Sequence, residues 1–132
     1  MVERSEDWLA QAERDLESAR WQLQGGYYEW VCFASQQAAE KAVKALYQHL
    51  HAMACGHMVS RLLSELPETI RPDTELIEQA IYLDRYYIAP RYPNGFERGA
   101  PKDYYTRRDA EEAISYAESV LRFCRGHIPG QR

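Results

Sequence analysis

The sequence predicts an all-α protein: an antiparallel up-and-down four-helix bundle with an extra short helix and a long ordered loop before the last helix. Apolar residues recur at three- and four-residue steps along four separate stretches, which is the period of a half-buried helix. Glycine and proline separate these stretches, and no alternating strand pattern of useful length occurs. A chain of 132 residues commonly forms one domain, so we expect a single helical domain over residues 1–132.

The first two helices are predicted to form an antiparallel hairpin. Ser5 is a suitable N-cap for the first helix, and Gly25 and Gly26 end it. The second helix is expected over residues 28–50, so only a short connection separates the two. Its small and apolar residues share one broad arc, where a neighbouring helix can approach closely: Val31, Ala34, Ala38, Ala42, Ala45 and Leu46.

Polar residues occupy another arc of the second helix. Gln36, Glu40 and Lys44 follow each other at helical spacing, with Phe33 and Tyr47 beside them. We expect this arc to present fixed polar groups as a recognition surface. The alternative is simpler: Glu40 and Lys44 stand at i and i+4 in the favourable order, which is typical of a surface ion pair worth roughly 0.3 kcal/mol.

Three further elements complete the predicted bundle. A short helix is expected over residues 59–66, and Asp73 is a suitable N-cap for a helix over residues 74–87. Thr106 and Asp109 resemble a capping box at the start of the last helix, with Asp in place of the usual Glu. Gly126 and Pro129 are expected to end that helix.

The segment between the last two helices, residues 88–105, contains three prolines and two glycines and cannot be regular helix. Six tyrosines lie between residues 82 and 105, with Arg85, Arg91 and Arg98 interleaved. Bases stack on aromatic rings and guanidinium groups pair with phosphate, so the mixture predicts a nucleotide or RNA site. The alternative, given equal weight, is that the tyrosines fill the loop and the arginines stack on them as packing.

Composition restricts the class of function. The formal charge is −4 and the pI about 5.6, which excludes a protein that coats nucleic acid through bulk positive charge. No stretch approaches the ~20 apolar residues that span a bilayer, and the first residues lack the apolar core of a signal peptide. We therefore expect a cytoplasmic protein without a membrane partner. Cys32, Cys55 and Cys124 are widely spaced, which favours reduced and mostly buried thiols.

Four motifs, taken in order, resemble the HEPN domain. They are QQAAEKAVKA at residues 36–45, GH at 56–57, YYIAPRYP at 86–93 and AEEA at 110–113, and the resemblance spans about residues 8–124. It implies an antiparallel helical bundle that usually forms a homodimer. Family members are often encoded beside minimal nucleotidyltransferases, and some are thought to bind nucleotides. Others are metal-independent ribonuclease toxins with an Arg-x4–6-His motif at a dimer interface.

The sequence departs from that ribonuclease motif. After Arg91, no His occupies the expected position, where Phe96 stands instead. A His would serve there as general acid or base because its pKa lies near neutrality, and a phenyl ring cannot. Arg122 and His127 match the spacing, but they lie at the end of the last helix, away from the family's motif. We therefore predict no catalytic residue.

A cluster of potential metal ligands precedes the short helix. His49, His51, Cys55 and His57 are close in the chain, but their spacing matches no common zinc motif. We predict neither a metal site nor another cofactor. His57 is set apart from the other three because the resemblance places it where HEPN proteins often carry His.

The leading hypothesis is a non-catalytic HEPN-type protein that binds a nucleotide or RNA and works with a nucleotidyltransferase partner in a toxin–antitoxin-like system. The site would lie between the second helix and the Tyr/Arg-rich loop. Arg91 would hold phosphate, Tyr87 and Tyr92 would stack or shape the pocket, and the remaining polar contacts would come from Lys44, His57 and Glu40. Two alternatives stay open: a ribonuclease toxin whose His is displaced to His57 or His127, and a module that only dimerises or docks.

Overall fold

The structure, a computed structural model, describes residues 2–130. All regular secondary structure in this range is helical, and none of these residues forms a strand. Residues 1 and 132, the ends of the predicted domain, lie outside this range. Five α-helices follow one another: α1 (Ser5–Gly25), α2 (Tyr28–His49), α3 (Val59–Ser64), α4 (Thr74–Asp84) and α5 (Arg107–Gly126). Four 3-10 turns connect them, at Glu68–Ile70, Ala89–Arg91, Pro93–Gly95 and Pro101–Asp103.

Helix α2 lies at the centre of the antiparallel bundle formed by α1, α2, α4 and α5, and α3 is the additional short helix. It packs along α1 on one side and along α5 on the other. Fully buried alanines line both contacts, and their small side chains allow the helix backbones to approach closely. They are Ala12 and Ala19 on α1, Ala38, Ala42 and Ala45 on α2, and Ala110, Ala113 and Ala117 on α5. The predicted fold class is confirmed.

Two of the three predicted N-caps are present. The Asp73 carboxylate accepts a hydrogen bond from the Leu76 N–H at 3.0 Å. Thr106 and Asp109 form a reciprocal capping box, each side chain accepting from the other's backbone N–H. The prediction for Ser5 is wrong: Arg4 is the N-cap residue, its side chain makes no capping hydrogen bond, and Ser5 is buried within the first turn with its N–H donating to the Glu3 carboxylate. Since Trp8 N–H already bonds to the Arg4 carbonyl, the helix begins one residue before Ser5 could cap it.

Helix α4 is shorter than predicted. It ends at Asp84, and the next residues continue as tight turns in which Tyr86 N–H bonds to the Leu83 carbonyl and Tyr87 N–H to the Asp84 carbonyl. The prolines that follow, beginning at Pro90, lack the N–H that a continued α-helix needs and disfavour helical geometry in the residue before them. Helix α3 likewise ends at Ser64, two residues before the predicted limit.

The side chain of Asp84 ties the start of α3 to the end of α4. Its carboxylate accepts hydrogen bonds from the Val59 N–H at 2.6 Å and from the backbone and hydroxyl of Ser60. Burial raises the pKa of Asp84 above its ordinary value, against the effect of these hydrogen bonds. Because α3 is fixed in this way, the segment just before it, which includes His57, is held beside α2.

Aromatic contacts order the long segment before α5. The Phe96 ring stacks on Tyr104 with centroids 4.2 Å apart and meets Tyr105 edge-on at 6.2 Å, while Tyr86 meets Tyr105 at 5.9 Å. Burial raises the pKa of Tyr86, and it raises the pKa of Tyr105 to about 12. This segment packs against α2, so the predicted ordered loop is confirmed.

All three cysteines are free thiols. Cys32 and Cys124 are buried and Cys55 is exposed, and none of the three forms a disulfide. Burial raises the pKa of the Cys32 and Cys124 thiols. Between residues 2 and 130, no helix combines the length and the apolar character needed to span a membrane.

Candidate functional site

Arg91 lies in the 3-10 turn that faces α2, surrounded by three aromatic rings. Its guanidinium carbon lies 4.5 Å from the centre of the Phe33 ring, 4.9 Å from that of Tyr87 and 5.2 Å from that of Tyr92. Its Nε donates a hydrogen bond to the Tyr87 carbonyl at 2.8 Å. Cation–π contacts and this hydrogen bond together fix the plane of the guanidinium group.

His57 lies next to α2, against the ring of Tyr87. Its imidazole stacks on the Tyr87 ring with centroids 4.4 Å apart and an interplanar angle of 15°. Its Nδ1 lies 2.9 Å from Oε2 of Glu40. The ring is therefore held by a carboxylate at one nitrogen and by an aromatic face, while about half of the side chain is exposed.

Glu40 is a buried carboxylate at the centre of a hydrogen-bonded network. Oε2 also accepts from Lys44 Nζ at 2.8 Å, and Oε1 accepts from Gln36 Nε2 at 3.1 Å. Burial by itself would raise the pKa of Glu40, but the hydrogen bonds from Lys44, His57 and Gln36 outweigh it and hold the pKa below its usual value. The carboxylate therefore stays charged although its side chain is only 8% exposed.

The polar arc of α2 is not the open surface that the sequence predicts. Gln36 is fully buried and Glu40 nearly so, because the segment before α3 covers them. Gln36 Nε2 also donates to the His57 carbonyl at 3.1 Å, which joins this segment to the helix. The Glu40–Lys44 ion pair of the alternative is present at 2.8 Å, but it does not lie at the surface, since both side chains are largely removed from solvent.

The fold brings the six predicted site residues into one region. Glu40, Lys44 and His57 form the network, and Tyr87 links His57 to Arg91 through stacking on both. Tyr92 lies at the outer edge, with 47% of its surface exposed. The predicted site residues did not include Phe33 and Gln36. Gln36 lies one helical turn before Glu40 and Phe33 lies two turns before it, and this spacing was the signal that could have included them.

Arg122 and His127 make separate contacts in the structure. His127 packs its ring on Phe123 with centroids 4.6 Å apart, and Arg122 lines a separate groove between α4 and α5 that also contains Arg71 and Gln79. Neither residue contacts Arg91. In the described part of the chain, no group of three or more His, Cys, Asp or Glu side chains is arranged to hold a metal ion.

The profile of the HEPN domain matches residues 5–127, which is nearly the whole chain. The chain belongs to the HEPN domain family. Among curated proteins it is similar to a protein of Methanocaldococcus jannaschii named "Putative toxin MJ1304". The two are 32% identical over 123 residues, which cover 86% of this chain and 81% of the relative.

Three solved structures share the fold. The crystal structure of TT1696 from Thermus thermophilus superposes with a TM-score of 0.93 at 42% identity, covering 96% of this chain and 99% of that protein. ST0689, described as an archaeal HEPN homologue, gives 0.82 at 46% identity, with 96% and 99% covered. A HEPN domain protein of Thermotoga maritima, tm0613, gives 0.74 at 40% identity, with 91% and 95% covered.

Proposed function

We propose that this HEPN protein binds the phosphate of a nucleotide or of RNA through Arg91 and does not cleave it. The observation that supports this most strongly is the fixed guanidinium group. Three rings and the Nε hydrogen bond hold it in place, and none of the described hydrogen bonds uses its two Nη groups. A planar guanidinium with free Nη donors suits a phosphate, to which it can donate two parallel hydrogen bonds.

The surroundings of Arg91 support a nucleotide rather than a bare anion. Tyr92 is half exposed beside the guanidinium and offers an aromatic face to a base. Lys44 lies along the same side of α2, but its ammonium group is already paired with Glu40. Arg91 is therefore the residue expected to carry most of the phosphate affinity.

Isothermal titration calorimetry with ATP and with a short single-stranded RNA tests this proposal. Arg91→Ala should weaken binding at least about tenfold, the loss expected for a charge-assisted bidentate contact. Arg98→Ala is the matched control, since Arg98 lies in the same segment and its side chain has no described ring or ion-pair contact. Unchanged binding in Arg91→Ala would remove Arg91 from the site, and circular dichroism would establish that the variant is folded.

We also propose a toxin–antitoxin-like setting, because the relative from Methanocaldococcus jannaschii carries the name of a toxin. In this setting the protein forms a homodimer and works with a nucleotidyltransferase partner. Expression alone should then slow growth, and co-expression of the neighbouring gene should restore it. Light scattering of the purified protein measures the homodimer directly. A monomer with no effect on growth would contradict both parts.

A second function, metal-independent RNA cleavage, is favoured by one specific observation. Glu40 binds Nδ1 of His57, which leaves Nε2 as the nitrogen that could exchange a proton with a substrate. Arg91 lies close by through Tyr87, so a general acid–base group and a phosphate-binding group share one region. This favours His57 over His127 as the displaced His of the ribonuclease alternative.

RNA incubation in the presence of EDTA decides between the two functions. Cleavage by the wild type that is lost in His57→Ala and kept in His127→Ala would favour the ribonuclease. Complete absence of cleavage, with RNA binding retained, would favour the non-catalytic proposal. If the protein neither binds nor cleaves RNA or nucleotides but co-purifies with a partner protein, the docking module remains.

A further inference from the structure

A second cleft lies beside the Arg91 site, between α1 and α2. It has a volume of about 300 Å³ and is lined on the α1 side by Asp15, Ser18 and Gln22 and on the α2 side by Trp30, Phe33 and Gln37. This volume is at the lower end of the range for ligand pockets and is large enough for a small ring system. None of the predicted site residues lines it.

The aromatic wall of the cleft is available to a ligand. Trp30 is 41% exposed, although it is a large aromatic residue, and its ring meets Phe33 edge-on with centroids 6.2 Å apart. Exposed tryptophan faces bind flat ring systems by stacking. The cleft therefore has the shape and the surface for a planar heteroaromatic group.

Two hydrogen-bond acceptors in the lining of the cleft have no described partner. Gln22 Oε1 is buried without any hydrogen-bond partner, which is a costly state that a ligand donor would relieve. Gln37 donates its Nε2 to Gln36 at 2.7 Å, and no described hydrogen bond uses its Oε1.

The charged groups of the cleft are already satisfied. Both Asp15 oxygens are occupied, by Lys41 at 2.6 Å and by Gln11 at 2.9 Å. A ligand therefore meets two amide acceptors rather than a free charge, and the complementary ligand is a flat ring that carries N–H donors.

Phe33 connects this cleft to the proposed phosphate site. Its ring lines the cleft and also lies 4.5 Å from the Arg91 guanidinium carbon. A base in the cleft and a phosphate at Arg91 can therefore belong to one nucleotide unit.

We propose that the α1–α2 cleft binds the base of that nucleotide unit and selects bases with an exocyclic amino group through Gln22 and Gln37. Adenine, cytosine and guanine carry such a donor, whereas uracil and thymine do not. The phosphate part of this proposal rests on the proposed function of Arg91, while the base part depends only on the cleft.

Calorimetric titration of the whole protein with AMP, UMP, adenosine and ribose 5-phosphate tests the proposal. AMP should bind at least about tenfold more tightly than UMP and than ribose 5-phosphate, because the amino group offers two N–H bonds to the two acceptors, uracil offers only its N3–H, and ribose 5-phosphate has no base. Gln22→Met keeps the side-chain length and removes the acceptor, so it should abolish the preference for AMP over UMP. Gln24→Met, which changes an exposed glutamine of the same helix, is the matched control and should keep the preference.

Trp30→Ala provides a second variant, with exposed Trp21 replaced by Ala as its control. It should weaken adenosine and AMP binding while leaving ribose 5-phosphate binding unchanged. A short adenylate oligonucleotide, titrated beside AMP, distinguishes a free nucleotide from RNA as the source of the base.

The outcomes separate this proposal from that for Arg91. Equal affinity for AMP, UMP and ribose 5-phosphate, or an unchanged preference in Gln22→Met, would overturn the base site while leaving the phosphate site intact. Absence of adenosine binding together with absence of AMP binding would also overturn it. If Arg91→Ala binds AMP as the wild type does, and Gln22→Met does not, the phosphate assignment fails and the base site stands.

Discussion

Nδ1 of His57 lies 2.9 Å from Oε2 of Glu40, although the two residues are 17 positions apart and the Glu40 side chain is almost completely buried. This contact joins the segment before α3 to the centre of α2. It also places the imidazole against Tyr87, the ring that Arg91 contacts from its own side. The polar network of α2 and the aromatic surroundings of Arg91 are thus parts of one arrangement.

Replacing Glu40 by Gln should destabilise the protein. The variant keeps the shape but removes the charge that Lys44 and His57 share, so we expect the free energy of unfolding to fall by about 2 kcal/mol. Urea denaturation measures this change. Glu65→Gln is the control, because Glu65 forms an exposed i,i+4 pair with Arg61, and it should cost less than about 0.5 kcal/mol. Equal effects of the two substitutions would contradict the burial of the network.

Glu40→Gln should also change how the free energy of unfolding depends on pH in acid solution. The folded pKa of Glu40 is below its ordinary value of 4.5, so its contribution is complete above pH 4.5 and is lost as the pH falls through the lowered folded value. The stability difference between wild type and Glu40→Gln should therefore shrink as the pH falls below 4.5. A stability difference between the two proteins that grows as the pH falls would contradict the lowered pKa of Glu40.

Arg91→Lys should show that a positive charge alone does not suffice for binding ATP or RNA. Lysine lacks the planar group that contacts three rings and the Nε that bonds to the Tyr87 carbonyl. We expect a loss of about tenfold in affinity for ATP or RNA and of about 1 kcal/mol in stability. Arg85→Lys, which removes a guanidinium stacked on Tyr82 alone, should leave binding unchanged. Wild-type binding by Arg91→Lys would mean that the fixed geometry is not needed.

Thr106→Ala should show how much the capping box at the start of α5 contributes to stability. The substitution removes the acceptor of the Asp109 N–H, and loss of such a cap costs about 1 kcal/mol. Thermal denaturation by circular dichroism measures the change. Thr69→Ala, at an exposed position in a 3-10 turn, serves for comparison and should stay within about 0.5 kcal/mol of the wild type. A silent Thr106→Ala would show that tertiary packing alone holds the start of α5.

Much of the fold could be predicted from the sequence because its signals are local. The helix periods, the Asp73 cap and the Thr106–Asp109 box depend on residues within one helical turn of each other, and all are present. Ser5 was a wrong prediction because a cap depends on where the first backbone hydrogen bond forms, and here Arg4 is the N-cap and Ser5 is the first residue of the helix. The end of α4 was missed because hydrophobic spacing continued past Asp84 while the backbone turned away before Pro90.

The sequence by itself determined the helical class, the order of the elements and the residue types gathered around Arg91. Only the tertiary structure decided that Gln36 and Glu40 face inward, that His57 covers them, and that Phe33 lies between Arg91 and the Gln22–Trp30 cleft. The physical reason is the separation along the chain of the residues that set each property. Helix period and capping are set by neighbours in the chain, whereas the burial of a polar side chain depends on which distant segment packs over it and supplies its hydrogen bonds.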